Sequence, residues 1–232
     1  MLTMKNNVFS IELNPQNGTV KSIVLNNDPA KMNWIEGMAG WGEPVGFEFI
    51  DMSFDGNVIH SRYRQGTLEL EVVRTLLDDR LTEKFAYRNT GYYDLYFKRG
   101  DLGIYATFND NYPSSDVCIS QRCHAHIWCG GEFSYVHARK MGPFPTDIAL
   151  VLTQGALDCY SVERIEEESS NDRGDFVLHP SPCHLLPSGE MVVEWSIIVF
   201  PHDHFRKRCL PWKMVFGWNS RKKLYSLMRH LR

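Results

Sequence analysis

The 232 residues include 43% hydrophobic, 12% aromatic and 23% charged side chains, a globular composition that excludes a disordered or fibrous chain. A chain of this length buries one substantial core, and all-β sandwiches of this size commonly form a single domain. The formal charge of −3 conceals an asymmetry: Phe205 to Arg232 carries nine Lys or Arg and no Asp or Glu, which leaves sixteen basic against twenty-eight acidic residues in 1–204.

Along the chain, short β-rich runs alternate with Gly, Pro, Asn and Asp. Val8-Phe9-Ser10-Ile11-Glu12-Leu13 alternates apolar and polar, Asn14-Pro15-Gln16-Asn17-Gly18 supplies a turn, and Thr19 to Leu25 returns, which predicts a hairpin. Further strands are expected at 45–52, 58–63, 68–76, 81–89, 102–108, 117–120, 122–128, 134–139, 148–153, 156–164, 176–179 and 191–200. About fourteen strands are too many for an open sheet of ordinary size, so the expected fold is all-β, a two-sheet antiparallel sandwich. One or two helical turns are expected at 29–36 and 92–97, and a longer helix at 221–231. The acidic, turn-rich stretch Glu166 to Asp175 reads as a surface loop, or as one whose Asn171, Asp172 and Arg173 fold over a site.

The chemistry concentrates between Cys118 and Arg139. Period-two alternation in Arg122-Cys123-His124-Ala125-His126-Ile127-Trp128 sends Cys123, Ala125 and Ile127 to one face and Arg122, His124, His126 and Trp128 to the other. A turn around Gly130-Gly131 allows pairing with Ser134 to Lys140, whose Tyr135, His137 and Arg139 share a face. In matched register these side chains form one surface patch.

Three readings suit that patch. Trp and Tyr rings stack on a pyranose while Arg and His donate to hydroxyls or a carboxylate, and a near-neutral His shuttles a proton. Alternatively, His-x-His binds a metal, completed by Cys118, Cys129, His137 or His184; or the histidines simply bond neighbouring backbone. Spacings of Cys-x4-Cys and Cys-x5-Cys are not those of a zinc ribbon, so neither a metal nor another cofactor is expected. Asn109 and Asp110 cap a turn or contact ligand hydroxyls, Trp34 and Trp41 are packing anchors or stacking platforms, and Glu163 is a general-base candidate. No second carboxylate is spaced for glycoside hydrolysis, and phosphate loops, Gly-x-Ser-x-Gly and His-Glu-x-x-His are absent.

No apolar run reaches the roughly 18 residues that cross a bilayer, and Met1 to Asn7 lacks a signal peptide's apolar core, so a cytoplasmic chain is expected. Its six cysteines are then thiols or metal ligands. Neither nucleic acid nor membrane is an expected partner.

The hairpin Ile11 to Ile23 resembles the opening of galactose-mutarotase-like supersandwich domains. Asn109-Asp110-Asn111-Tyr112-Pro113, Arg122 to Gly131, Ser161-Val162-Glu163-Arg164 and Ser170 to Phe176 resemble the N-terminal β-domain of bacterial six-hairpin glycosidase-type proteins, in which an (α/α) toroid follows. The resemblance implies a carbohydrate-binding domain of a glycoside hydrolase or related enzyme, packed on a helical catalytic domain. A mutarotase-like epimerase using His124 or His126 with Glu163, and a structural docking module, are the alternatives. The expected domain is 1–204; the basic stretch 205–232 reads as a truncated or altered end, or as a basic amphipathic helix that meets an acidic partner or membrane surface.

Overall fold

The computed structural model describes residues 2–35, 39–109, 122–142, 144–163 and 174–202. Among them sixteen strands form: β1 (Leu2–Lys5), β2 (Phe9–Asn14), β3 (Thr19–Leu25), β4 (Glu48–Asp55), β5 (Val58–Gln65), β6 (Leu68–Leu76), β7 (Arg80–Asn89), β8 (Leu95–Phe97), β9 (Ile104–Tyr105), β10 (Cys123–Trp128), β11 (Tyr135–Lys140), β12 (Thr146–Gln154), β13 (Leu157–Glu163), β14 (Asp175–Pro180), β15 (Cys183–Leu185) and β16 (Glu190–Pro201).

Eight of these make one antiparallel sheet in the order β10-β11-β12-β16-β7-β6-β5-β4. The opposing layer combines β1-β2-β3 with β13-β14-β9, joined by single bridges at Val20–Trp41, Ile35–Phe108 and Pro44–Ile104. Alternation places the core. Phe9, Ile11 and Leu13 of β2 face inward, as do Leu68, Leu70 and Val72 of β6 and Phe85 and Tyr87 of β7, and the core also holds Trp34, Trp41 and Trp195. The first hairpin closes as its sequence predicts: the Gly18 amide donates to the Asn14 carbonyl at 2.8 Å, and Gly18 holds φ at +70°.

Two buried ion pairs pin the layers. Arg74, in an inward slot of β6, donates through Nε to Glu83 Oε1 of β7 at 2.7 Å, and through its Nη atoms to the Gly18 and Gly42 carbonyls at 2.6 and 3.1 Å. Both Trp41 and Trp195 donate Nε1–H to Glu83 Oε2 at 2.7 Å, so every charge of the pair is met. Lys140, at the inward end of β11, donates to both Asp28 oxygens at 2.8 Å. Asp28 also accepts the Ala30 and Met32 amides, and this turn replaces the helical turn expected at 29–36 in its described part.

The helical turn expected at 92–97 is also overturned, because Leu95, Tyr96 and Phe97 find edge partners in Leu185, His184 and Cys183. The strand expected over 102–108 shrinks to Ile104–Tyr105. The elements expected at 117–120 and 221–231, with the whole stretch 205–232, lie outside the described residues. Among the described residues Cys129, Cys159 and Cys183 are free thiols, and the Cys123 thiol donates to the Asn109 carbonyl at 3.0 Å.

Candidate functional site

β10 and β11 pair in the register that the alternation calls for: His124 opposite Arg139, His126 opposite His137, and Trp128 opposite Tyr135. Their partners in the strand, Cys123, Val136 and Ala138, turn to the core, so the six polar and aromatic side chains share the outer face of the large sheet. The His124 and His126 rings meet edge to face with centroids 5.4 Å apart, and both residues are exposed. Trp128 is 55% exposed.

The turn between these strands is built for the aromatic end of the row. A Cβ at Gly130 would lie 2.3 Å from Trp128 Nε1, so the indole in this position lies directly against the glycine backbone. Ser134 holds the turn, accepting from the Gly130 amide at 3.0 Å and donating to the Gly131 carbonyl at 2.7 Å.

The row continues onto β12 and β16. Asp147 stands opposite Arg139, and its buried carboxylate, 1% exposed as a residue, accepts from His137 Nε2 at 3.0 Å. Its other oxygen lies 2.5 Å from Nδ1 of His202, just beyond β16. A carboxylate only accepts, so His137 presents Nε2–H to it and its ring orientation is fixed. The His137 ring also lies 5.5 Å from the Phe200 ring. This carboxylate lies between two imidazoles at the edge of an aromatic platform. Asp147 and His202 were not expected from sequence. The available signal was a carboxylate leading the six-residue buried run Asp147 to Leu152, a position that demands a buried partner.

The other predicted site residues are placed as follows. Arg122 directly precedes β10, its carbonyl accepts the Met141 amide at 3.0 Å, and it is 7% exposed where His124, His126 and Trp128 are open to solvent. Asn109 donates through its side chain to the Asn33 carbonyl at 2.9 Å, while its own carbonyl accepts the Cys123 amide at 2.7 Å, tying the 33–35 ribbon to the start of β10. Glu163 ends β13 in the other layer and accepts the Tyr105 hydroxyl at 2.6 Å. Burial, and then that carboxylate, push the Tyr105 phenol above its ordinary range. Asp110, Asn171, Asp172 and Arg173 lie outside the described residues. Among the described residues, no group of three or more His, Cys, Asp or Glu is arranged to hold a metal ion.

At the far end of the same outer face, a shallow groove of about 240 Å³ is lined by Arg62, Arg64, Glu69, Glu71, Arg88 and Glu190 among others. Several of these charges are paired, as in Arg64–Glu69 at 2.8 Å, His60–Glu71 at 2.9 Å and the Arg62–Asp51 pair.

No protein-family model and no curated protein sequence matches this chain. Solved structures do. A polysaccharide lyase superposes over 90% of the chain with a TM-score of 0.78 and 28% identity, and the chain spans 35% of that lyase's length. A protein from Escherichia coli K12 provisionally assigned as an aldose 1-epimerase matches 86% of the chain and 98% of its own length, with a TM-score of 0.56 and 12% identity. A galactose mutarotase-like protein from Clostridium acetobutylicum matches 86% and 94%, with a TM-score of 0.53 and 6% identity. With its antiparallel sheets and inward-facing alternation, this chain is an all-β sandwich with the galactose-mutarotase-like fold.

Proposed function

We propose that this chain is a carbohydrate-binding sandwich domain of a polysaccharide-processing enzyme, working beside a helical catalytic domain. The carrying observation is the likeness to a polysaccharide lyase over nearly the whole chain. The outer row supplies compatible chemistry. Trp128 offers an exposed ring to the apolar face of a pyranose, with Tyr135 beside it. Arg139 suits a uronate carboxylate or a pair of hydroxyls, and His124, His126 and His137 offer further polar contacts. The Asp147–His137 bond presets one of these rings before ligand arrives, which lowers the ordering cost of binding.

Calorimetry against a panel of neutral and acidic oligosaccharides tests the reading. The expected result is binding that Trp128→Ala weakens about tenfold, the loss of one stacking contact. Arg139→Ala selectively weakens the acidic members. Absence of binding to every saccharide, with the domain folded, refutes the proposal.

A further inference from the structure

The opposite layer holds a second chemical pair, remote in the topology from the outer row. Ser161 is an exposed residue of β13, and its Oγ lies 2.8 Å from Nε2 of His179 on β14. His179 is 8% exposed, and its Nδ1 lies 2.8 Å from the Leu102 carbonyl oxygen.

The proton positions follow from these two contacts. A carbonyl oxygen only accepts, so Nδ1 carries the hydrogen and Nε2 presents its lone pair. The Ser161 hydroxyl is therefore the donor to Nε2. This is the arrangement in which an imidazole withdraws a proton from an attacking serine, with a third group fixing the tautomer from behind.

The ring is held in place. A Cβ at Gly103 would lie 2.6 Å from Val177 Cγ1 and 3.4 Å from His179 Cε1, so the backbone at 103 closes over both side chains. In the β13–β14 register Cys159 stands opposite His179 and Ser161 opposite Val177, so serine reaches histidine diagonally across one face of the ladder. The imidazole is buried, whereas the serine that donates to it belongs to an exposed residue at a part-buried contact.

We propose that Ser161 is a nucleophile activated by His179, directed at carboxylic esters of small acyl groups. Ser161 Oγ bonds to the acyl carbon as its proton passes to His179 Nε2, and the alcohol oxygen leaves with that proton. Water then attacks the acyl-serine, its proton again taken by Nε2 and returned to Ser161 Oγ, and the carboxylic acid is released. That the natural ester is an acylated sugar hydroxyl rests on the carbohydrate reading above; the reactivity of the serine does not.

The test is covalent labelling of the whole chain with a fluorophosphonate, the adduct located by mass spectrometry, together with hydrolysis of p-nitrophenyl acetate. The expected adduct sits on Ser161, and its rate falls about 100-fold in His179→Gln, which lacks a basic nitrogen. Acetate release falls to the buffer rate in Ser161→Ala. If His179→Gln fails to fold, heat-unfolded wild type serves instead and must lose the label. Labelling of Ser161 at one rate in folded and unfolded protein, no adduct at Ser161, or ester hydrolysis unchanged in Ser161→Ala each overturns the proposal. None of these measurements uses a saccharide, so their failure and a failure of glycan binding are separate results.

Discussion

Glu83→Gln keeps the shape of a fully buried side chain and removes its charge. In the native core one carboxylate oxygen takes Arg74 Nε–H at 2.7 Å and the other takes two indole N–H groups, also at 2.7 Å. A glutamine has one acceptor oxygen, so its amide nitrogen must point its hydrogens either at Arg74 or at the two indoles. Whichever orientation it takes, the Arg74 guanidinium, 1% exposed, loses its countercharge. Orphaning one member of a buried ion pair costs about 3–5 kcal/mol. For a domain of this size each kcal/mol moves the melting temperature by roughly 2–4 °C, so a fall of about 6–20 °C is expected. Urea unfolding followed by tryptophan fluorescence is the direct assay, since Trp41 and Trp195 donate to the altered group. Adding Arg74→Met to Glu83→Gln removes the orphaned charge while leaving the indoles an acceptor, and should restore about 2 kcal/mol relative to the single variant. A single variant within about 1 kcal/mol of wild type, or a double variant showing the plain sum of the two losses, refutes the coupling described for this pair.

Lys140→Met strands the Asp28 carboxylate in the core and should cost a similar 3–5 kcal/mol by urea unfolding. Gly18→Ala would place a Cβ 2.6 Å from Ser61 Oγ and 2.8 Å from the Tyr63 hydroxyl at a φ of +70°, so a loss of about 2 kcal/mol or more is expected from the same assay. The Cys129 thiol is pushed up to about 11 by burial, with Cys159 and Asp158 adding to the effect. The fold thus favours the neutral thiol: its contribution is complete below the ordinary thiol range and is lost as pH rises toward about 11, because the unfolded chain ionises first. Alkaline unfolding should therefore start later in Cys129→Ala than in wild type, and alkylation of Cys129 at pH 8 should be far slower than in urea.

The parts of the fold that were legible in the sequence are those set by local alternation. The row of His124, His126 and Trp128, and its matching row of Tyr135, His137 and Arg139, follow from period two plus a short glycine turn, and the register bears that out. Asp147 of β12 and His202, just beyond β16, reach the row only through the order β10-β11-β12-β16, which periodicity does not encode. Charges in inward slots were the missed signal. Arg74 follows Leu68, Leu70 and Val72 in the same parity, and Glu83 precedes Phe85 and Tyr87. An ionised residue in such a series announces a buried partner, although its identity depends on pairing between strands. Short edge pairs were hidden for another reason: Leu95–Phe97 and Cys183–Leu185 have too few residues to show any period.

The position of β16 bears on how the chain acquires its fold. Glu190–Pro201 lies between β12 and β7, bonding along one side to 146–154 and along the other to 80–89. During synthesis the two sets of strands, β4–β7 and β10–β12, leave the ribosome before this strand does. Until then each exposes a long, apolar, unpaired edge, the kind of surface that recruits other nascent chains. Closure must await a contact made across more than 100 residues of chain, as in Glu190 with Arg88, which places folding in the slow regime of non-local β topologies. A chain interrupted before residue 190 therefore yields two open half-sheets, and chaperone dependence should be greatest in the interval just before β16 emerges.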